Sequence, residues 1–223
     1  MPDVHEQKRV LDSFLSRAEK SALLWLAART PARFSPDTMT SIGILGSILI
    51  FLGYALTNIS PGFLWMANLG FVVNWYGDSM DGTLARYRKI ERPKFGFYVD
   101  HVVDAYSQYM VFIGLGLSRY VRFEYACLAL VGYLLVSIVS YVRAFVIGEF
   151  RISYAKFGPT EVRLLAMAIN TLVFFIGNPI LRLFSFDVSV FDAAILIITL
   201  LLMMVFVFTS INYGRDLVGA DER

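Results

Sequence analysis

Apolar residues run through this chain in blocks of about 20, separated by short polar stretches, at 38–57, 62–86, 97–118, 123–148, 160–178 and 190–212. Each block is about the length a helix needs to cross a hydrocarbon core of ~30 Å. The blocks lack the period-two alternation of strands, and in lipid only helices or closed barrels satisfy every backbone hydrogen bond. The pattern predicts an all-α integral membrane protein with six transmembrane helices over 38–212. Ahead of them, Leu11, Phe14, Leu15, Ala18, Ala22, Trp25 and Leu26 recur at the spacing of one helix face, while Lys8, Arg17 and Lys20 fall on others. This predicts an amphipathic interfacial helix and turn over 5–34, lying in the headgroup plane of the cytoplasmic leaflet; packing on the protein's own loops is the alternative. Pro31 and Pro36 end that helix and turn the chain into the first span. No repeat or low-complexity segment divides the chain, so 1–223 reads as a single membrane domain.

Composition agrees with a lipid environment. The chain is 57% hydrophobic and 17% charged, with a mean hydropathy of +0.61, whereas soluble domains are roughly a quarter charged. The first 34 residues carry charges throughout and lack the compact apolar core of a cleaved signal, so the first span is expected to direct insertion. Six spans put both termini on one side. Of the 20 Lys and Arg, only Arg119, Arg122 and Arg182 fall opposite, so the positive-inside bias makes both termini cytoplasmic, in the cell membrane if the source is prokaryotic. Cys127 stands alone, which excludes an intrachain disulfide and a thiolate metal site. A net charge of +2 without a basic stripe excludes a nucleic-acid partner.

Against this apolar background, Asp78 and Asp81 are three residues apart and Asp100 and Asp104 four apart, so each pair projects from one face of its helix. The two helices run antiparallel around the loop 87–95. Asp81 lies six residues before that loop and Asp100 five after it, while Asp78 and Asp104 are each nine away. At ~1.5 Å per residue the pairs reach similar depth near the cytoplasmic mouth. Each aspartate costs about 2.5 to 3.5 kcal/mol at the membrane centre on insertion scales. Arg86 is the one cation of this stretch on the same helix within easy reach, and one guanidinium does not neutralise four acids. Hard divalent cations do: Mg²⁺ or Mn²⁺ takes carboxylate oxygens and keeps positions for substrate phosphates. Gly82 and Gly96 each cost a helix about 1 kcal/mol relative to Ala, and with Ala85 they would let a bulky ligand approach the backbone. Close helix packing is the alternative use of such glycines, and Gly114, Gly116 and Gly132 are placed for packing or a dimer contact.

The arrangement Asp78-x-x-Asp81-Gly82-x-x-Ala85-Arg86, nine residues, then Gly96-x-x-x-Asp100-x-x-x-Asp104 resembles the signature of the CDP-alcohol phosphotransferase family. The six-span layout, the preceding helix and the segment Pro36-Asp37-Thr38-Met39-Thr40 are also similar to that family. The resemblance implies a homodimeric membrane enzyme of phospholipid synthesis that transfers a phospho-alcohol group from a CDP-alcohol to a second alcohol and releases CMP. It implies that Asp78, Asp81 and Asp100 hold one or two Mg²⁺ or Mn²⁺ ions. Asp104 would be the general base and share in metal binding, and Arg86 would pair with a phosphate. Gly82 and Ala85 would make room for cytidine, with Thr40 and Pro36 closing the nucleotide pocket.

Two features bear on the alcohols and pull apart. His101 after the third aspartate, and Gly158-Pro159-Thr160-Glu161 after the fourth span, are similar to the choline and ethanolamine branch, which uses diacylglycerol. There His101 would lie near the reacting hydroxyl and Glu161 would attract an ammonium headgroup. Arg143, Arg151, Lys156 and Arg163 suit instead the clamping of inositol phosphate or glycerol phosphate by an enzyme using CDP-diacylglycerol, although topology alone also places Lys and Arg there. Membrane prenyltransferases also use aspartates on a diphosphate, but their two motifs lie far apart in sequence. A cation or proton transporter would explain intramembrane acids, yet the outer halves of the spans lack ionisable residues to continue a path.

Overall fold

In the computed structural model the structure describes residues 8–10, 15–147, 149–151, 158–183 and 186–221. Among them the chain forms seven helices: α1 Ser16–Arg29, α2 Pro36–Ala55, α3 Phe63–Arg88, α4 Pro93–Gly116, α5 Phe123–Ile147, α6 Pro159–Ile176 and α7 Val190–Asp221. Each of the six expected apolar blocks thus becomes one helix. Two short strand pairs complete the described chain: β1 Lys8–Val10 runs parallel to β2 Glu149–Arg151, and β3 Ile180–Leu183 pairs antiparallel with β4 Phe186–Ser189.

Four of these segments are long and apolar enough to cross a membrane: Pro36–Asn58, Phe123–Val146, Pro159–Ile176 and Val190–Val218. Their outer faces carry exposed Leu128, Val131, Ile138 and Val142 on α5 and Leu200, Met204, Phe208 and Ile211 on α7, a surface suited to lipid. The chain is accordingly an integral membrane protein. Helices α3 and α4 are comparably long, but their acids and amides lower their hydropathy.

Local signals set the helix starts. Ser35 caps α2 by accepting from the Thr38 backbone N–H at 3.1 Å, and Pro36 occupies the first turn, where its missing N–H costs nothing. Glu161 accepts from the Gly158 N–H at 3.0 Å to cap α6. Helix α3 ends at Lys89 in the left-handed region, φ 57°, and the Ile90 N–H returns to the Ala85 carbonyl at 3.0 Å. Arg88 then donates to the carbonyls of Phe34, Thr30 and Pro31, fastening the turn before α2 to the end of α3.

Small residues bring α2 and α3 into backbone contact. A Cβ on Gly77 would lie 2.2 Å from the Gly43 nitrogen, and one on Gly46 would lie 2.3 Å from the Asn74 nitrogen. Such close approach is the membrane alternative to hydrophobic association, which lipid does not drive. Gly114 packs against Phe51, Gly116 against Phe123 and Ala126, and Gly132 against Leu202, so all three serve contacts within the chain. A buried polar chain ties α2, α3 and α6: Tyr54 donates to Asn170 at 3.0 Å, and Asn170 donates to Asn68 at 2.8 Å. These bonds satisfy groups that lipid would leave unpaired and hold α6 beside α3.

The first helix differs from its expectation. Residues 11–14, part of the predicted apolar face, lie outside the described residues, and Lys8–Val10 is extended rather than helical. Periodicity gives a face without saying where the helix begins, and the backbone partner of β1 lies about 140 residues away, beyond any local signal. Leu23 and Ala27 of α1 are buried with Met39, Met80 and Leu84, whereas Trp25 is exposed. The helix therefore packs on α2 and α3 and turns a second apolar face outward.

Candidate active site

The four aspartates occupy the end of the bundle where α3 and α4 meet. Asp78 and Asp81 follow the glycine contact that presses α3 onto α2, and Asp100 and Asp104 lie in the first half of α4. The carboxyl of Asp104 is within electrostatic reach of Asp78, Asp81 and Asp100. Asp78 is bonded by Arg163 of α6 at 2.7 Å, with side-chain exposures of only 13% for the arginine and 23% for the acid. Asp81 accepts from the Thr40 hydroxyl at 2.8 Å and from the Gly82 N–H.

Arg163, 85 residues from Asp78, thus brings a cation to the first pair besides the Arg86 that the sequence placed on the same helix. Arg86 lies over Gly82, its guanidinium 3.2 Å from where a Cβ would stand, and its Nη2 is 3.4 Å from the Thr83 hydroxyl. The space left by Gly82 is therefore spanned by Arg86. Ala85 is partly buried on the same helix, and Gly96 is open, with nothing within 4 Å of its would-be Cβ. Pro36 starts α2, and Thr40, one turn later, is turned to Asp81.

His101 lies with Nδ1 2.6 Å from the Phe97 carbonyl, which makes that nitrogen the donor, and its ring packs between Phe97 and Tyr141. Glu161 spends one carboxylate oxygen on the Gly158 N–H and the other on the Leu15 N–H at 2.9 Å. Arg143 stacks on Tyr213 of α7, 3.8 Å from the ring centroid. The side chain of Arg151 and the whole of Lys156 lie outside the described residues.

Several neighbours escaped the sequence reading. Tyr133 and Tyr141, eight residues apart on one face of α5, both lie within electrostatic reach of Asp104. Beneath the acids, the Asn74 amide donates to the Gly43 carbonyl at 3.1 Å and to Ser47 at 3.0 Å, and Ser47 donates to Ser107 at 2.8 Å. Asn74 is one turn from Asp78 and Ser107 one turn from Asp104, so a hydrogen-bonded polar layer lies one turn from the acids. The apolar-looking spans gave one available signal, an amide and serines at helical spacing from the acids.

A hard, oxygen-only donor set of this kind suits Mg²⁺ or Mn²⁺. Among the described residues no three His, Cys, Asp or Glu side chains are gathered to ligating distance as they stand; Asp78 and Asp81 are turned to Arg163 and Thr40 instead. The chemistry of the acids fits a divalent cation, and the donors now on Asp78 and Asp81 are the ones it would displace.

Fold and site together define an integral membrane protein with a carboxylate cluster at one end of a helical bundle. The chain belongs to the CDP-alcohol phosphatidyltransferase family, whose sequence profile it matches over residues 33–211. It is similar to the archaetidylinositol phosphate synthase of Pyrococcus horikoshii, 29% identical over 106 residues, which are 45% of this chain and 55% of that protein. It is also similar to the phosphatidylinositol phosphate synthase of Cutibacterium acnes, 31% identical over 87 residues, 39% of each chain. The matched segments thus span about half or less of these curated relatives.

Proposed function

We propose that the chain transfers the phospholipid part of a CDP-linked lipid to the hydroxyl of a phosphorylated alcohol, inositol phosphate above all, releasing CMP at the cytoplasmic face. The observation that carries this reading is Arg163. Helix α6 brings its largely buried guanidinium 2.7 Å from Asp78, which puts a planar, bidentate phosphate binder at the edge of the acid cluster. A phosphorylated acceptor matches such a group, whereas an ammonium headgroup would be repelled by it. Glu161, the residue suited to an ammonium ion, already has both oxygens on backbone N–H groups. The names of the two relatives, both inositol phosphate lipid synthases, point the same way.

The roles follow from the acids. Asp78, Asp81, Asp100 and, in part, Asp104 would hold the Mg²⁺ or Mn²⁺, which when bound neutralises charge on the diphosphate and on the departing CMP. Asp104 would take the proton of the acceptor hydroxyl as its oxygen attacks the phosphorus distal to cytidine. The bond from that phosphorus to the bridging oxygen breaks, and the bridging oxygen leaves with CMP. Arg86 would hold a donor phosphate, the open backbone at Gly96 would admit the nucleotide, and Thr40 would keep Asp81 oriented. His101 and Tyr141 would wall the acceptor side, and Arg143, stacked on Tyr213, would supply positive potential nearby. Six crossings, both termini cytoplasmic, α1 in the leaflet surface and a homodimer complete the proposal.

The test is a transfer assay in membranes. CDP-diacylglycerol is supplied with radiolabelled inositol phosphate or glycerol phosphate, in parallel with CDP-choline or CDP-ethanolamine and diacylglycerol. CMP release with labelled lipid is expected for inositol phosphate. Release only with CDP-choline or CDP-ethanolamine would overturn the acceptor assignment.

A further inference from the structure

Helix α6 opens with Thr160 and Glu161, and each is bonded to α1. The Thr160 hydroxyl donates to Glu19 Oε1 at 2.7 Å. One residue on, Glu161 Oε1 accepts the Leu15 N–H at the start of α1 at 2.9 Å. The same oxygen of Glu19 also accepts from Trp75 Nε1 of α3 at 2.7 Å, with the Ser79 hydroxyl at 3.5 Å. One carboxylate oxygen thus gathers three helices.

Its partners frame the acid cluster. Trp75 lies three residues before Asp78, and Ser79 directly follows it; Thr160 lies three residues before Arg163. The atom that joins α3 to α6 is therefore one helical turn from the place where Asp78 and Arg163 meet at 2.7 Å. The cations of α1, Arg17, Lys20 and Arg29, are exposed, while Glu19 is turned inward. Packing does not require an acid there, because Leu23 and Ala27 already supply the apolar contact. A half-buried carboxylate carries a desolvation cost, which its three donors offset.

We propose that Glu19 and Glu161 form a reciprocal clasp by which α1 sets the gap between α3 and α6, making Glu19 a positioning residue for Arg163. The proposal rests on the reading of Arg163 as the ligand of the acceptor phosphate. The surface helix is then a wall of the acceptor site as well as a contact with lipid. Displacement of a binding group by about 1 Å costs on the order of a hundredfold in rate in positioned sites, so a clasp one turn away has the leverage to matter.

The experiment uses the purified full chain in lipid nanodiscs. The constants measured are the KM of inositol phosphate, the KM of CDP-diacylglycerol and, by calorimetry without the CDP-lipid, the affinity for inositol phosphate. The variants are E19A, E19Q, R163A and the double variant E19A/R163A. The clasp predicts that E19A weakens the acceptor terms by about tenfold, leaves the CDP-lipid KM within about twofold, and adds nothing in the R163A background. E19Q, whose amide oxygen still accepts both bonds, should restore wild-type acceptor binding. T160V removes one donor at nearly constant shape and W75F removes the other along with part of the indole's bulk, and the cycle is run on them, T160V first, if E19A does not fold. Independent, multiplying effects of E19A and R163A would overturn the clasp, as would an equal loss in donor and acceptor terms. R163A impaired beside a normal E19A, T160V and W75F sinks the clasp alone. R163A with wild-type acceptor binding removes both the clasp and the acceptor role of Arg163.

Discussion

Removing the Arg163 guanidinium leaves the Asp78 carboxylate, only 23% exposed, without the cation now bonded to it. Breaking one side of such a pair costs about 3 to 5 kcal/mol in buried settings, because the remaining charge stays uncompensated. Arg163→Gln should therefore unfold at a lower temperature than wild type. Added Mg²⁺ should raise the melting temperature of the variant more than that of wild type, since a cation at Asp78 no longer competes with the arginine. An unchanged melting temperature without metal would show that Asp78 does not depend on Arg163. Asp104→Asn keeps shape and removes the proposed base: CMP release should vanish while calorimetry still finds CDP binding, and an active Asp104→Asn would remove Asp104 from that role. The acids themselves were readable from spacing, because pairs at three and four residues share a helix face in any bundle. Arg163 is in sequence only one of four cations suited to a phosphorylated acceptor, with nothing to set it apart from Arg143, Arg151 and Lys156. Its partner lies 85 residues away, and in sequence it looked like Arg151 and Lys156, cations that topology alone explains.

The α2–α3 contact makes the backbone of Gly77 part of the site's foundation. A methyl group on Gly77 would stand 2.2 Å from the Gly43 nitrogen, and backbone cannot step aside as a flexible side chain can. Gly77→Ala should therefore separate the two helices, at a cost of about 1 to 3 kcal/mol for overpacking or more, and shift Asp78 with them. Lower thermal stability and weaker CDP binding should appear together. Gly96→Ala is the contrasting case: its Cβ meets nothing within 4 Å, and Ala is favoured in a helix by about 1 kcal/mol. It should leave stability unharmed and weaken only nucleotide binding; a destabilised Gly96→Ala would refute the openness seen there. The ranges of α2 to α6 and the start of α7 were legible because apolar blocks and their Pro, Ser and Gly punctuation mark them, whereas α7 runs on to Asp221, past the expected end of the block at 212. The strand at Lys8–Val10 and the inward turn of Glu19 were not, because both depend on partners in the α5–α6 region.

The residues that build the site also lower the hydropathy of α3 and α4, the two further crossings of the proposal. Helices α3 and α4 have 26 and 24 residues, which at ~1.5 Å per residue gives about 39 and 36 Å, enough to cross a ~30 Å core. Their hydropathy is lowered by Asn68, Asn74, Asp78 and Asp81 on one and by Asp100, His101, Asp104 and Gln108 on the other. These polar groups are buried or half-buried, while Trp65, Leu69 and Val72 of α3 and Val102 and Tyr109 of α4 are exposed. That division is expected of spans whose polar side is buried in protein. It predicts that the α3–α4 turn and the α4–α5 turn open on opposite faces of the membrane. Ile90 and Leu117, 50% and 46% exposed, mark the two turns. Each is replaced by cysteine in a Cys127→Ser background and challenged with an impermeant maleimide. Leu117→Cys should react in intact cells and Ile90→Cys only after the membrane is opened. A hairpin that dips into the bilayer and returns would instead leave Ile90→Cys unreactive from either side or reactive from outside. The acid cluster would then no longer face the cytoplasm, where CMP is to be released.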